Sequence, residues 1–273
     1  MTRFSDSLRD ARQSTYMFNN ENSEAARQLT LLSAILDEHS TRVLGRVGVR
    51  DGMVALDLGS GAGTIPLWLA KQGVHVVAVD HDPRHIPSHD LIEVRAGDFR
   101  RLTLGEARYD LIHARLLLMH LPEPEKVVRA LVAALKPAGM LVLSDWDCRR
   151  VDDMLVEPTA QVADAFAAFQ AALIGIGEAN GGSAAWAARA PEAMRAAGLV
   201  EIEGEVYNRL WRGGEPGCLL HASNSRQLEG ALRARGVTTD QLAVLRDAMA
   251  HGDTLAWSYP MVTTQGRRPH NGA

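Results

Sequence analysis

Lysine is nearly missing from this chain. Lys71, Lys126 and Lys136 are its only lysines, and arginine supplies the remaining positive charge. The formal net charge is −4 over 273 residues. Without a basic excess the chain lacks the electrostatic footprint of a phosphate-backbone binder, so no nucleic-acid partner is expected. Cysteine is equally scarce. Cys148 and Cys218 need not pair, and a reducing cytosol keeps such thiols free. No apolar run approaches the length of a membrane span, so no membrane association is expected. The polar start, with Arg3, Asp6, Arg9 and Asp10, has no apolar segment behind it. That excludes a secretory signal and points to a cytoplasmic location. Internal repeats and low-complexity linkers are absent too. His81, His85 and His89 fall at the spacing of a metal-binding helix face. Pro83 and Pro87 forbid a continuous helix there, so no metal is expected.

Against these absences, hydrophobic residues make up 46% of the chain, enough for an ordinary core. The stretch Val54-Ala-Leu-Asp57-Leu-Gly59-Ser60-Gly61-Ala-Gly63 carries the strongest signal. A short apolar run ends in an acid, a glycine-spaced turn follows, and a helix-like segment begins at Thr64. Glycines permit positive φ and let a ligand approach the backbone. The helix start behind them offers free N–H groups and a partial positive charge. The spacing differs from the dinucleotide fingerprint, so the loop alone is a weak signal. Its context strengthens it. Val76–Val79 reads as a second strand ending in Asp80, where an acid can hydrogen-bond a ribose diol. Val94–Asp98 reads as a third, Tyr109–Ala114 as a fourth and Met140–Asp145 as a fifth. Each ends in a polar residue, and open α/β sheets bind ligands at that edge.

Together these pieces resemble the class I S-adenosylmethionine-dependent methyltransferases. The matching segments are Leu56–Gly63, Val79-Asp80, Gly97-Asp98-Phe99, Tyr109–Arg115 and Leu135–Leu141, spread over roughly residues 46–148. The tract from His113 to Pro124 and the leader Tyr16-Met-Phe18-Asn-Asn20 resemble a bacterial small-molecule, natural-product branch. The resemblance implies a Rossmann-like α/β fold: a seven-stranded, mostly parallel sheet whose last strand is antiparallel. To this it adds an N-terminal helical leader and helical cap insertions. Ala138 stands where the family usually has glycine, which implies a local backbone adjustment.

The resemblance also distributes roles. S-adenosylmethionine is the implied cofactor and S-adenosylhomocysteine the product. Asp57, Gly59, Ser60, Gly61 and Gly63 would hold the aminoacyl and ribose portions. Asp80 would take the ribose, His81 would pack beside it, and Asp98 and Phe99 would recognise adenine. His113 is the first choice for a residue shared by cofactor and substrate, since imidazole orients or deprotonates a nucleophile near neutral pH. Tyr16 is the second catalytic candidate, because the leader can fold over the site. Tyr16, Phe18, Arg115, Trp146 and Trp186 are the substrate-side candidates, with Asp145, Asp147 and His221 behind them. No acid cluster follows the fourth strand of the kind used by magnesium-dependent catechol methyltransferases.

A single methyltransferase domain is expected over 1–273. Residues 1–46 form a helical leader, with an amphipathic helix over 22–46 carrying Ala25, Leu29, Leu32 and Leu36 at helical spacing. Residues 47–148 are the cofactor core and 149–190 a cap insertion with a long helix over 158–176. The stretch 191–273 completes the sheet. It holds a short helix begun by Pro191, a sixth strand over 199–211, a helical insertion over 213–253 and a seventh strand over 257–264. The expected reaction is methyl transfer to a small aromatic or apolar metabolite at oxygen, nitrogen or carbon, as in secondary metabolism. A methyltransferase-like cyclase or binding module is the alternative, and an NAD-dependent oxidoreductase is a weaker one. The helical additions offer surfaces for a homodimer.

Overall fold

The computed structural model describes residues 23–270, so Tyr16 and Phe18 lie outside the described residues. The first half mixes strand and helix, with three strands in succession at its middle that only short 3₁₀ turns separate. It runs α1 (Ser23–Arg46), β1 (Val54–Leu58), α2 (Thr64–Lys71), β2 (His75–Asp80), β3 (Ile92–Ala96), β4 (Tyr109–Arg115), α3 (Pro124–Ala134) and β5 (Leu135–Trp146). The second half mixes insertions with sheet. It holds β6 (Leu155–Val156), α4 (Ala160–Ala179), α5 (Trp186–Ala196), β7 (Val200–Tyr207), β8 (Leu210–Arg212), α6 (Pro216–Gln227), α7 (Glu229–Ala234), α8 (Thr239–Ala250), β9 (Leu255–Trp257) and β10 (Met261–Arg267).

Seven strands form the main sheet in the order β3-β2-β1-β4-β5-β10-β7. β10 runs antiparallel to both neighbours and the other pairs are parallel, as the family resemblance implies. The strand order reverses beside β1, with β2 on one side and β4 on the other. That switch point opens a crevice at the carboxyl ends of the strands. β1 and β2 are buried almost throughout, which suits strands covered on both faces.

Each face has its own core. Val43, Leu44, Ile65 and Leu69 of α1 and α2 pack on Ala55, Val76 and Leu111. On the other face Leu131, Trp186 and Met194 of α3 and α5 pack on Leu56, Ile112 and Leu141. A third apolar cluster sits beyond the sheet edge. There the first half of α1 meets Phe166, Phe169 and Leu173 of α4, Leu220 of α6, Leu242 and Leu245 of α8, and Trp146 at the end of β5. This cluster roofs the crevice.

Several expectations about the second half change. The expected strands over 199–211 and 257–264 are each split. Their inner pieces become β7 and β10 of the main sheet, while β8 and β9 join β6 in a separate three-stranded antiparallel sheet. The breaks fall where Ser258 N–H donates to the Arg209 carbonyl and its hydroxyl donates to Asn208, next to Pro260, which has no N–H for a ladder. Pro191 does not start its helix but lies inside α5. The chain enters that helix earlier because Trp186 is fully buried and Ser183 holds the turn before it. The apolar-run expectation also changes. Among the described residues α4 is long and apolar enough to cross a membrane by length and composition alone, and here it packs against α7 and α8. At the turn into β5, Ala138 adopts φ 64°. An L-residue there costs roughly 1–2 kcal/mol. Its N–H donates to the Arg268 carbonyl at 2.9 Å, which ties the turn to the end of β10.

Candidate active site

The glycine loop leaves β1 at the switch point. Gly59, Gly61 and Gly63 all take positive φ, at 68°, 53° and 68°. Gly59 and Ser60 donate their N–H groups to the Val79 carbonyl of β2, which presses the loop against the neighbouring strand. Gly63 caps α2, whose first turn has no side-chain cap. The loop therefore lies against the uncapped, partially positive end of a helix.

Asp80 ends β2 and binds this loop directly. One carboxylate oxygen accepts the Gly61 N–H at 2.8 Å and the other accepts the Asp82 N–H at 2.9 Å. Burial raises the Asp80 carboxyl above its ordinary range against the pull of these two donors. Each oxygen keeps a further lone pair for a ligand hydroxyl. Asp57 and His113 face one another across β1 and β4. His113 Nδ1 lies 2.6 Å from Asp57 Oδ1, both side chains are buried, and His113 Nε2 has no partner. Ser60 Oγ donates back to the Asp57 carbonyl. The residues fit an adenosyl cofactor on these observations. A glycine cradle, an acid with spare acceptors at the second strand and an orphaned ring nitrogen lie at one sheet edge.

Other expected contacts look different. His81 is exposed. Pro83–His85 form a single 3₁₀ turn rather than a helix carrying three histidines. Asp98 caps the 3₁₀ turn Phe99–Arg101, and both its oxygens bind the Arg100 guanidinium, the shorter at 2.6 Å. Phe99 packs against the α3–α5 core. Arg115 does not reach a substrate. Its guanidinium donates to Asp37 Oδ1 at 2.9 Å and to Ser40 Oγ at 3.0 Å, which ties β4 to α1. Trp186 is likewise no substrate wall. It is fully buried, and its indole N–H donates to Asp145 at 3.1 Å. Asp147 pairs with Arg149 at 2.6 Å.

An apolar pocket opens under α4, with a volume of about 740 Å³ including its mouth. Leu116, Met119 and His120 enter it from the turn after β4, and Trp146 and Cys148 from the end of β5. Leu173 and Ile174 of α4 cover it, and Gln28, Asn224 and Tyr259 give it polar points. His113 does not line it. The Tyr259 ring lies 5.1 Å from that of Trp146, tilted by 39°, and its hydroxyl donates to Gln170. His221 sits behind, its ring ringed edge-on by Phe166, Phe169 and Tyr259. Among the lining residues there is no lysine or arginine, and the one carboxylate, Glu178, is exposed. Burial pushes the Cys148 thiol up to about 12, so it is no nucleophile at neutral pH.

Gln28, Asn224 and Tyr259 carry little signal in the sequence. His221-Ala-Ser-Asn-Ser225 reads as polar, yet all five residues are buried. A polar run inside a helix flanked by apolar segments was the available signal.

The methyltransferase-domain family model matches residues 22–242. The chain belongs to the class I S-adenosylmethionine-dependent methyltransferases. A ubiquinone biosynthesis O-methyltransferase from Marinobacter nauticus is 31% identical to this methyltransferase-family chain over 104 residues. That match covers 34% of this chain and 44% of the relative, so the chain spans less than half the length of the curated relatives it matches. The fold is similar to that of a Haemonchus contortus phosphoethanolamine N-methyltransferase bound to S-adenosylhomocysteine. There the TM-score is 0.53 at 14% identity, over 85% of this chain and 53% of that one. It is also similar to a [4+2]-cyclase, with TM-score 0.51 at 17% identity over 86% and 82% of the two chains. Membership of this family removes the nicotinamide alternative.

Two histidines give this methyltransferase-family chain a defined acid response. Burial holds both His120 and His221 down at about 4, below the ordinary 6.5. A proton then prefers the unfolded chain. Their contribution is full above pH 6.5 and is lost as pH falls towards 4. A shift of that size corresponds to about 3 kcal/mol for each group at most. Asp145 runs the other way. Burial raises its carboxyl to about 7, so its contribution is present below 3.8 and is lost as pH rises to 7. The histidines outnumber it, and the melting temperature is expected to fall from pH 6.5 to 4. His221→Leu should flatten that fall; a variant whose pH profile overlays that of the parent chain would refute the assignment.

Proposed function

We propose that this chain transfers a methyl group from S-adenosylmethionine to a small, uncharged, largely apolar metabolite, with an aromatic ring system fitting best. The observation that carries this reading is the apolar pocket under α4, which has no lysine or arginine among its described lining residues. A phosphorylated or carboxylated substrate would lose its hydration there without a counter-charge. Trp146 and Tyr259, two neighbouring aromatic side chains in the lining, favour an aromatic ligand.

When bound, the cofactor supplies an electrophilic sulfonium methyl. Gly59, Ser60, Gly61 and Gly63 would hold its aminoacyl and ribose parts, and Asp80 its diol. The Asp57–His113 pair fixes the floor of the cofactor site rather than acting on substrate. Asp98, bound to Arg100, would meet the adenine edge through its turn. The pocket excludes water and aligns the acceptor, and alignment can provide much of the acceleration in such a displacement. His120 is neutral at pH 7 and enters the pocket from the turn that follows β4. The transfer therefore relies on positioning, with an acceptor that needs little help in losing its proton. Location in the cytoplasm and action in secondary metabolism complete the proposal.

Titration calorimetry with S-adenosylhomocysteine, with NAD as control, tests the cofactor half. Micromolar binding of the first alone is expected, and binding of NAD instead would overturn it. A screen of neutral aromatic compounds with labelled methyl donor tests the transfer half. Conversion that proceeds equally without the donor would instead identify a cyclase.

A further inference from the structure

The pocket has one polar feature that methyl transfer itself does not require. Gln28 of α1 and Asn224 of α6 both line it, both are 4% exposed, and Gln28 Nε2 donates to Asn224 Oδ1 at 2.8 Å. One hydrogen bond cannot satisfy two carboxamides. Whichever way the two groups are turned, the pair keeps one carbonyl and one NH₂ with no further partner among the described residues. Once an apolar ligand fills the pocket and displaces its water, leaving such groups unmet is costly, so the ligand must offer them partners. Gln28 also stands next to Leu29, whose Cδ2 lies 3.1 Å from the place a Cβ would take on Gly61. The turn of α1 that carries Gln28 thus also packs against the glycine loop.

We propose that Gln28 and Asn224 together form a recognition point for a neutral substrate group that carries a hydrogen-bond donor and acceptor side by side, as in a lactam. The proposal rests on the substrate reading above and names the polar part of that substrate. A bare anion fails because it brings acceptors only and meets no cation. An ammonium fails because it brings donors only. A lactam offers N–H to the free carbonyl and C=O to the free NH₂, while its fused ring lies against the wall of Trp146 and Tyr259. Gln28 and Asn224 are positioning residues here, since neither reaches the transferred methyl.

The test uses 2-quinolinone and 1-methyl-2-quinolinone as probes, titrated by calorimetry into the full chain with and without S-adenosylhomocysteine. The two differ in the N–H donor and share the apolar rings. The parent chain is expected to bind the first at least tenfold more tightly, the loss expected when one buried polar group is left unmet. Gln28→Leu and Asn224→Leu should each bring the two affinities to within about twofold, mainly by weakening 2-quinolinone. Melting temperature identifies a variant that fails to fold, and the parent chain's own preference decides the matter without any variant. Equal affinity of the parent chain for both probes, binding of neither, or a preference that survives both substitutions would overturn the proposal. Failure of S-adenosylhomocysteine to bind would instead strike the methyltransferase reading and leave the probe preference as a separate result.

Discussion

Gly63→Ala is expected to abolish cofactor binding and to lower stability by several kcal/mol. A Cβ on Gly63 would lie 2.5 Å from Pro87 Cδ and 2.8 Å from Ile86 Cα. The second of these is backbone, so no side-chain rotation relieves the clash. The φ of 68° adds strain of roughly 1–2 kcal/mol for any L-residue. Overpacking adds about 1–3 kcal/mol. The relief available is movement of the loop or of the 86–87 segment, and either displaces the start of α2 from the cofactor cradle. Gly48→Ala provides the control. Its φ is 87°, but nothing lies within 4 Å of the added carbon. It should lose stability through strain alone and keep the parent affinity for S-adenosylhomocysteine. Parent-like affinity and melting temperature in Gly63→Ala would show that the loop is not packed as described.

The second large effect is expected at Asp80. Asp80→Ala removes the acceptor for the Gly61 and Asp82 N–H groups and, in the proposed complex, the anchor for the ribose diol. Hydrogen bonds to a charged group are worth about 1.5–3 kcal/mol each. Losing the diol contacts together with the loop brace should weaken S-adenosylhomocysteine binding by a hundredfold or more. Bracing and ribose contact separate in a double-mutant cycle. The parent chain should discriminate strongly between adenosine and 2′,3′-dideoxyadenosine, and Asp80→Ala should not. Equal discrimination by both would leave Asp80 as a loop brace alone.

These two residues also show how far the sequence reached. Gly63 and Asp80 were legible because their roles depend on the backbone and on the strand they terminate. A glycine is conspicuous where φ must be positive, and an acid after Val76–Val79 must lie at the sheet edge. The mostly parallel sheet agreed with the same local pattern, while the strand order came only from the structure. Arg115 and Trp186 were misread because both types suit a pocket as well as they suit a core. Which one they joined depended on Asp37 in α1 and Asp145 in β5, remote residues that no local pattern connects to them.

By itself, then, the sequence determined the local geometry proposed to hold the cofactor: the glycine loop, Asp57, Asp80 and the strands that carry them, all set by short-range constraints on the backbone. Tertiary structure alone decided the substrate half. Gln28 meets Asn224 across 196 positions of chain, and Tyr259 meets Gln170 across 89. Such pairs form only when α1, α4 and α6 pack around a shared apolar space. The partners of a buried polar side chain are fixed by that packing and not by its neighbours in sequence.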